Sequence, residues 1–269
     1  MPISSSALEI DSYLRVLVVG PPKLGKTSVS ITTSPSPVRV ILSERDSALR
    51  DAKRRGGKFD FERIRANKPY ELMTTYLAQA KEDAKAGLIK TVVIDPLSEF
   101  AEKLLAQSEQ LNLTSNNEID GRTAYPHYSR RLLHVLELAC TIPAHVIVVS
   151  HFVEMGGGEL PTQAKKSGDG IVPLIPGKIR LRVGGCFDDI LWFDLDKQDP
   201  SKRCFYTGPQ GSWGPGCRSL SKTNVLPADF TAFIKVIAEG DVPRKSTNGA
   251  AKPQPKLIQP QAKPQSIRK

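Results

Sequence analysis

The chain has 269 residues, of which 39% are hydrophobic and 6% aromatic, and its formal net charge is +10. This length and composition allow a substantial hydrophobic core, which excludes a wholly disordered chain and a small disulfide-stapled protein. No apolar run approaches the roughly 20 residues that cross a bilayer and the N-terminus has no signal-peptide pattern, so we expect a cytoplasmic protein that does not bind membranes. The four cysteines lack metal-ligand spacing, so they predict neither a metal site nor a disulfide.

The positive charge is concentrated in the last part of the chain. Residues 243–269 contain seven Lys or Arg and no acidic residue, whereas residues 1–242 carry a balance of only +3. We predict that 243–269 is a flexible, basic, Pro/Gln-rich tail, because it has too few large apolar residues to offset the entropy of ordering. Such a tail either follows a polyanion or only keeps the protein in solution, and composition favours neither role.

Short β-branched runs alternate with helix-length segments along residues 1–242. This alternation predicts one α/β domain, in which helices flank both faces of a mostly parallel sheet. We predict strands at 15–19, 38–42, 91–94, 145–149, 189–193 and 202–206, and helices at 43–57, 69–86, from 97 onward, 129–141 and 229–238. The helix at 43–57 is expected to take Ser43 as its N-cap. Because ligands of such sheets bind at the carboxyl ends of the strands, the residues that follow each strand are candidate site residues.

The first predicted turn carries a phosphate-binding pattern. Residues 20–27 fit G-x-x-x-x-G-K-[ST] and lie between a predicted strand and a predicted helix, which is the context that gives the pattern meaning. Backbone N–H groups of such a loop surround a phosphate, while Lys26 reaches the β- and γ-phosphates and the Thr27 hydroxyl binds Mg²⁺. The predicted nucleotide-binding residues are Gly20, Pro21, Pro22, Lys23, Leu24, Gly25, Lys26, Thr27 and Ser28. Of these, Lys23 either touches phosphate or faces water.

Two acidic residues complete the predicted chemistry. Asp95 follows the strand 91–94 and can hold a Mg²⁺-bound water; alternatively it only caps the helix that begins near Leu97. Many ATPases of this type place a catalytic carboxylate directly after that Asp, but here Pro96 occupies the position. Glu44, two residues after the second strand, is therefore the candidate that orients the attacking water. Its alternative role is that of an acidic residue in the first turn of the following helix, where the helix dipole stabilises a negative charge.

Four blocks of sequence resemble the RecA-like P-loop ATPases, and most closely the phage AAA-type nucleotide-binding family that includes phage single-strand annealing proteins. The blocks are 20–27, 40–44, 92–98 and 146–151, in the expected order. The resemblance implies that the nucleotide is ATP, that Glu44 is the water-activating glutamate, and that His151 senses the γ-phosphate. It also implies that Arg218 reaches into a neighbouring subunit's nucleotide, although Gly216 stands where many members carry a lysine.

The resemblance further implies a loop after the sensor that contacts single-stranded DNA. Here that segment is rich in glycine and carries the paired Lys165 and Lys166, although it can also be a plain flexible excursion. A second candidate surface is residues 121–131, where cations alternate with aromatic residues. Its DNA-binding candidates are Arg122, Arg130 and Arg131, and its tyrosines alternatively pack the helix.

These features predict an ATPase that acts on single-stranded DNA in phage recombination, repair or annealing, in the cytoplasm of a bacterial host. We expect a homo-oligomer, either a ring or a filament, with Mg·ATP between protomers, and a single-strand-binding protein or other recombination proteins as partners. The alternative is a nucleotide-gated DNA-binding or annealing module with little hydrolysis, which the missing lysine beside Arg218 favours. A small-molecule kinase fits least well, because no arginine of an Arg-rich lid occurs after the sensor before Arg180.

Overall fold

The computed structural model describes residues 13–155, 170–208, 216–220 and 225–239. The strands are β1 (Arg15–Val19), β2 (Val38–Leu42), β3 (Phe59–Arg63), β4 (Thr91–Asp95), β5 (His145–Ser150), β6 (Phe152–Met155), β7 (Gly170–Pro173), β8 (Asp189–Leu195), β9 (Arg203–Tyr206), β10 (Gly216–Cys217) and β11 (Val225–Pro227). The α-helices are α1 (Lys26–Thr32), α2 (Arg50–Arg54), α3 (Pro69–Lys85), α4 (Leu97–Gln110), α5 (Gly121–Cys140), α6 (Arg180–Val183) and α7 (Phe230–Ala238).

A nine-stranded sheet forms the centre of the molecule. Its strand order is β11-β9-β8-β1-β5-β4-β2-β3, and β10 pairs with β8 outside this path. The strands from β8 to β3 run parallel to one another, whereas β9, β10 and β11 are antiparallel to their neighbours. The predicted α/β class with a mostly parallel sheet flanked by helices is therefore confirmed.

The register brings the ends of the central strands to the same level. Val19 pairs with Ser150, and Leu42 pairs with Asp95, so β1, β5, β2 and β4 end side by side. We call this the carboxyl edge of the sheet, and we call the opposite side, where Arg15 and Asp189 begin their strands, the amino edge. The loops that follow the four central strands all start at the carboxyl edge.

Helices cover both faces of the sheet because the central strands are apolar on both sides. In β1, Leu17 and Val19 contact the cluster built by α3, α4 and α5, whereas Val16 and Val18 contact the cluster built by α1, α2 and α7. All five residues of β1 are buried. Such two-sided burial is the physical reason that parallel strands read as continuous hydrophobic runs.

The segment after β2 differs from its prediction. Ser43 was expected to cap a helix at 43–57, but the chain forms a 3₁₀ turn at Asp46–Leu49 followed by α2, and Arg45 occupies the N-cap position of that turn. The Ser43 amide donates to the Asp95 carbonyl at 2.8 Å, so this residue extends the pairing of β2 with β4. The capping prediction is wrong because the sheet already uses the backbone of Ser43.

Helix α5 begins eight residues before the predicted start at Ser129. Asp120 is its N-cap and accepts a hydrogen bond from the Arg122 amide at 3.0 Å. Pro126 lies inside the helix, where proline removes a backbone donor, and this residue obscured the true start in the sequence. Strands β3, β6, β7, β10 and β11 and helix α6 were also not predicted, and each is short or polar.

Two predicted features lie outside the described residues. They are the paired lysines at 165 and 166 and the basic tail at 243–269. Within the described ranges, no helix combines the length and the apolar character that a membrane span requires.

Candidate functional site

A cavity of about 620 Å³ opens at the carboxyl edge beside the loop of residues 20–27. Nine residues predicted from the sequence line it, and they come from four separate segments of the chain: Pro22, Lys23, Gly25, Lys26, Thr27, Ser28, Glu44, Asp95 and His151. The parallel register explains this convergence, because each loop leaves the sheet at the same edge. The structure therefore brings together the predicted phosphate-binding, magnesium-binding, water-orienting and sensor residues.

The loop of residues 20–27 depends on glycine at two places for different reasons. Gly25 has φ +93°, in the left-handed region that favours glycine, and it directly precedes α1. Gly20 packs so closely against β8 that an added Cβ would lie 2.2 Å from the Phe193 carbonyl oxygen. The two glycines thus let the chain turn sharply between β1 and α1.

Lys26 is almost fully buried beneath this loop. Its Nζ donates to the carbonyl oxygens of Gly20 and Pro21, each at 2.7 Å. Burial lowers the pKa of Lys26 to about 8, an effect that the negative charges of Asp95 and Glu44 partly oppose. A phosphate in the loop would replace the two carbonyl partners with an anion, which stabilises the ammonium form.

Asp95 ends β4 and is only 1% exposed. Burial raises its pKa to about 7; a hydrogen bond from the Thr27 hydroxyl lowers it, Glu44 raises it and Lys26 lowers it. Among the described residues, Asp95 Oδ2 has no hydrogen-bond partner. A buried oxygen without a partner costs about 1–3 kcal/mol, which marks this position as one that a ligand completes.

The chemistry of Asp95 and Thr27 fits a magnesium ion. Mg²⁺ prefers oxygen ligands, usually one or two protein oxygens together with water and substrate phosphates. The alternative role of Asp95, capping α4, is wrong, because Pro96 occupies the N-cap position and no side chain caps the helix. Asp95 and Thr27 are therefore the residues that would hold Mg²⁺ beside a bound phosphate.

Glu44 lies in the loop between β2 and the 3₁₀ turn, so its alternative role as a first-turn acid of a helix that begins after Ser43 is also wrong. Burial raises the pKa of Glu44, Glu99 raises it further, and Lys26 and Lys103 lower it. The Lys103 ammonium donates to the Ser43 carbonyl and so ties this loop to α4. A half-buried carboxylate with a raised pKa suits a group that accepts a proton from water.

His151 directly follows β5 and is half-buried in the cavity wall. Its backbone amide donates to the Ser98 hydroxyl at 2.9 Å, and that hydroxyl lies 3.3 Å from the Ser150 hydroxyl. Burial, with a smaller contribution from Lys26, lowers the pKa of the imidazole. Its Nδ1 is buried and has no hydrogen-bond partner among the described residues, so no contact within the fold fixes this ring nitrogen.

Arg218 lies away from this cavity. It follows β10, in which Cys217 pairs with Asp189 at the amino edge, and its Nη1 is 3.6 Å from Asp188 Oδ1. The Arg218 side chain is 72% exposed. The structure therefore does not place Arg218 beside the nucleotide site of its own chain, and its role in a neighbour's site stays a prediction.

The candidate DNA-binding residues of α5 fall into two groups. Arg122 and Arg130 are exposed, and Tyr125 between them is also exposed. The Arg131 guanidinium instead lies 4.5 Å from the centre of the Tyr70 ring, and Tyr128 is fully buried in the core. Packing of the helix thus accounts for Arg131 and Tyr128, whereas the exposed residues remain available.

Sequence reasoning missed Arg203, which also lines the cavity. Arg203 begins β9, and because β9 is antiparallel to β8, its first residue pairs with Leu195 at the carboxyl edge. The rule that ligands bind at the carboxyl ends of strands points to residues after parallel strands and overlooks the start of an antiparallel one. Arg203 could have been identified only if β9 had been recognised as antiparallel to β8, because its first residue then lies at the carboxyl edge.

Comparison with protein-family models identifies the family of this chain. A family model described as AAA domain, AAA_24, matches residues 12–219. A solved KaiC-like protein from the hyperthermophilic archaeon Pyrococcus horikoshii OT3 is 14% identical, over 80% of this chain and 82% of that chain, with a TM-score of 0.41. No curated protein matches the chain. Because the family match spans most of the chain, including the phosphate loop and the residues of the cavity, the chain belongs to the AAA domain family of P-loop ATPases.

Proposed function

We propose that this protein is a Mg²⁺-dependent ATPase that acts on single-stranded DNA in phage recombination, repair or annealing. The observation that carries the ATPase part is the convergence of Lys26, Thr27, Glu44, Asp95 and His151 on one cavity at the carboxyl edge. Each of these residue types has a distinct role in phosphate chemistry, and the family match supports the same activity. The DNA part rests on the sequence resemblance and on exposed cations.

Within the cavity, Lys26 and the backbone amides of the loop bind the β- and γ-phosphates. Glu44 orients a water molecule and accepts its proton, which its half-buried position and raised pKa favour. His151, with its lowered pKa, presents a neutral imidazole to the terminal phosphate. When bound, Mg²⁺ neutralises charge on the phosphate oxygens, and Asp95 and Thr27 are the residues that would hold it.

The DNA-binding part of the proposal has two candidate surfaces. Arg122 and Arg130 are exposed in the first half of α5 with Tyr125 between them, a combination that suits backbone phosphates and a stacked base. Lys165 and Lys166 lie outside the described residues and remain candidates from the sequence. Homo-oligomerisation and further recombination partners belong to the same proposal.

A nucleotide-gated annealing module with little hydrolysis is the second candidate. The specific observation that favours it is the position of Arg218, which lies at the amino edge against Asp188 and away from its own phosphate site. A chain that lacks an arginine at the γ-phosphate hydrolyses slowly until a neighbour supplies one, because such cations contribute about 10³–10⁵ to the rate in related chemistry.

The test compares ATP binding and phosphate release for the wild-type chain and Lys26→Ala, with and without single-stranded DNA. We expect Mg²⁺-dependent hydrolysis that DNA stimulates and that Lys26→Ala abolishes. Lys53→Ala is the matched control, because it removes an exposed helical lysine that does not line the cavity. Hydrolysis that continues unchanged in Lys26→Ala would refute the site, and unchanged annealing without hydrolysis would favour the second candidate.

A further inference from the structure

Arg203 is an arginine of the same chain that lies against the phosphate loop. A Cβ added to Gly25 would lie 3.2 Å from Arg203 Nη1 and 3.4 Å from its Cζ, so the guanidinium packs directly over this turn of the loop. The residue is half-buried, and its guanidinium has no hydrogen-bond or ion-pair partner among the described residues. A partly desolvated cation without a partner is costly, and a bound anion would offset that cost.

The lining of two neighbouring cavities shows where Arg203 lies in the site. Arg203 lines the 620 Å³ cavity of the phosphate loop and also a second cavity of about 650 Å³ between α1 and β11. Glu44, Asp95 and His151, which mark the γ-phosphate end, line only the first cavity. Arg203 therefore lies where the two cavities meet, away from the residues that mark the γ-phosphate end.

The other cations near this boundary have partners. Arg55 also lines both cavities, but its Nε lies 2.8 Å from Asp51 Oδ2. Lys202 lines the second cavity and lies 2.9 Å from Asp199 Oδ2. The second cavity is also lined by an acidic residue, Asp196. Of the cations that line the boundary, Arg203 is thus the one that an anionic ligand can recruit without breaking an ion pair.

We propose that Arg203 binds the α- and β-phosphates of the nucleotide held by its own chain. This inference rests on the proposed function and adds to it an arginine supplied within the chain, at the end of the site opposite Glu44. A guanidinium presents several N–H donors in a fixed plane and can bridge oxygens of two adjacent phosphates. Because ATP and ADP share these phosphates, the contact contributes equally to the binding of both.

The experiment measures the dissociation constants of Mg·ATP and Mg·ADP by calorimetry for the wild type, Arg203→Ala and Arg203→Lys. We expect Arg203→Ala to weaken both nucleotides by the same factor, about 10- to 100-fold, which is the loss of charge-assisted hydrogen bonds. Arg203→Lys keeps the charge without the planar donors, so an intermediate, equal loss is expected. In steady-state hydrolysis, KM should rise while kcat stays unchanged, because the contact exists before and during the reaction.

Lys85→Ala is the matched control, since it removes an exposed lysine that is paired with Glu82 and lines neither cavity. Its nucleotide affinities should stay within about twofold of the wild type. A loss of ATP affinity alone, or a fall in kcat, would place Arg203 at the γ-phosphate and overturn the proposal, as would unchanged affinities in both variants. If Arg203→Ala unfolds, the ATP and ADP constants of Arg203→Lys decide. Absence of nucleotide binding by the wild type would instead refute the proposed function itself.

Discussion

Two buried aspartates lie at opposite edges of the same sheet and are treated differently by their surroundings. Asp189, at the amino edge, is 0% exposed, and both of its carboxylate oxygens are satisfied: Ser219 donates its amide at 3.1 Å and its hydroxyl at 2.6 Å. Asp95, at the carboxyl edge, is 1% exposed, and its Oδ2 has no partner among the described residues. The two carboxylates are equally buried but differ in hydrogen bonding. Asp189 is a structural carboxylate, whereas Asp95 has an oxygen that a ligand can bind.

The same contrast extends to other polar groups at the two edges. At the amino edge, the buried Arg15 guanidinium donates to the carbonyl oxygens of Cys140, Ile142 and Ala144 at 2.7–2.8 Å, and so ties the end of α5 to β1. At the carboxyl edge, the Ser43 hydroxyl and His151 Nδ1 are buried without partners among the described residues. Arg15 and Asp189 at the amino edge thus stabilise the fold, whereas Ser43, Asp95 and His151 at the carboxyl edge each keep a polar atom that the fold does not use.

The largest expected effect at the carboxyl edge is that of Glu44→Gln. The amide keeps the shape of the side chain but cannot accept a proton from water, so we expect kcat for ATP hydrolysis to fall about 10²- to 10⁴-fold. Nucleotide affinity should change little, because Glu44 acts on the water. Rapid-quench measurements of a single turnover test this directly. A variant that hydrolyses ATP at the wild-type rate would show that another group activates the water.

The two aspartates should respond to the same substitution with opposite signs. In the ligand-free protein at pH 8, Asp95→Asn should raise the free energy of unfolding by about 1–3 kcal/mol, since it removes a charge that burial destabilises. Asp189→Asn should lower it by about 1–3 kcal/mol, because the amide cannot accept from both Ser219 donors in the same way. Urea unfolding followed by circular dichroism measures both changes.

The stabilisation expected from Asp95→Asn depends on pH, because it requires Asp95 to be ionised in the wild type. Its folded pKa of about 7 lies above the unfolded value of 3.8, so the folded state binds more protons between these values. Stability of the wild type therefore falls as pH rises from about 4 to 7, and the gain from Asp95→Asn should vanish near pH 4. A gain that is independent of pH, or destabilisation by Asp95→Asn at pH 8, would contradict the assignment of an unsatisfied carboxylate.

The lowered pKa of Lys26 predicts that nucleotide affinity depends on pH, and this effect is smaller than the effects expected for Glu44 and Asp95. Because its pKa is about 8 in the ligand-free protein, the ammonium progressively loses its proton above this pH and must regain it to bind phosphate. ATP affinity should therefore fall above pH 8, by at most about 10-fold per pH unit. Calorimetry in buffers of different ionisation enthalpy should detect proton uptake on binding near pH 8.5. Constant affinity from pH 7 to 10 would contradict a deprotonating Lys26.

The smallest effect on nucleotide binding is expected for Arg218→Ala at the amino edge. The side chain is exposed and distant from its own cavity, so ATP affinity of the dilute protein should stay within about twofold of the wild type. If Arg218 completes a neighbour's site, the hydrolysis rate per chain should rise with protein concentration in the wild type and not in the variant. Equal concentration dependence in both proteins would exclude a role across the interface.

The phosphate site could largely be predicted from the sequence, because its elements are local. The apolar run of β1 followed by residues 20–27, and the apolar run of β4 ending in Asp95, each indicate their local structure within a stretch of at most 13 residues. Parallel strands then bring their carboxyl ends together, which placed Glu44 and His151 in the same cavity. Residues whose role depends on strand direction or on competing backbone bonds, such as Arg203 and Ser43, could not be placed in this way.

The sequence by itself determined the α/β class, the phosphate loop and the set of polar residues that follow the central strands, since spacing and hydrophobic periodicity encode them over short distances. Only the tertiary structure decided which buried polar atoms are satisfied. Asp95 and Asp189 are both acidic residues at strand ends, yet one finds Ser219 and the other faces the cavity. That outcome depends on partners brought from distant parts of the chain, and local sequence patterns do not contain it.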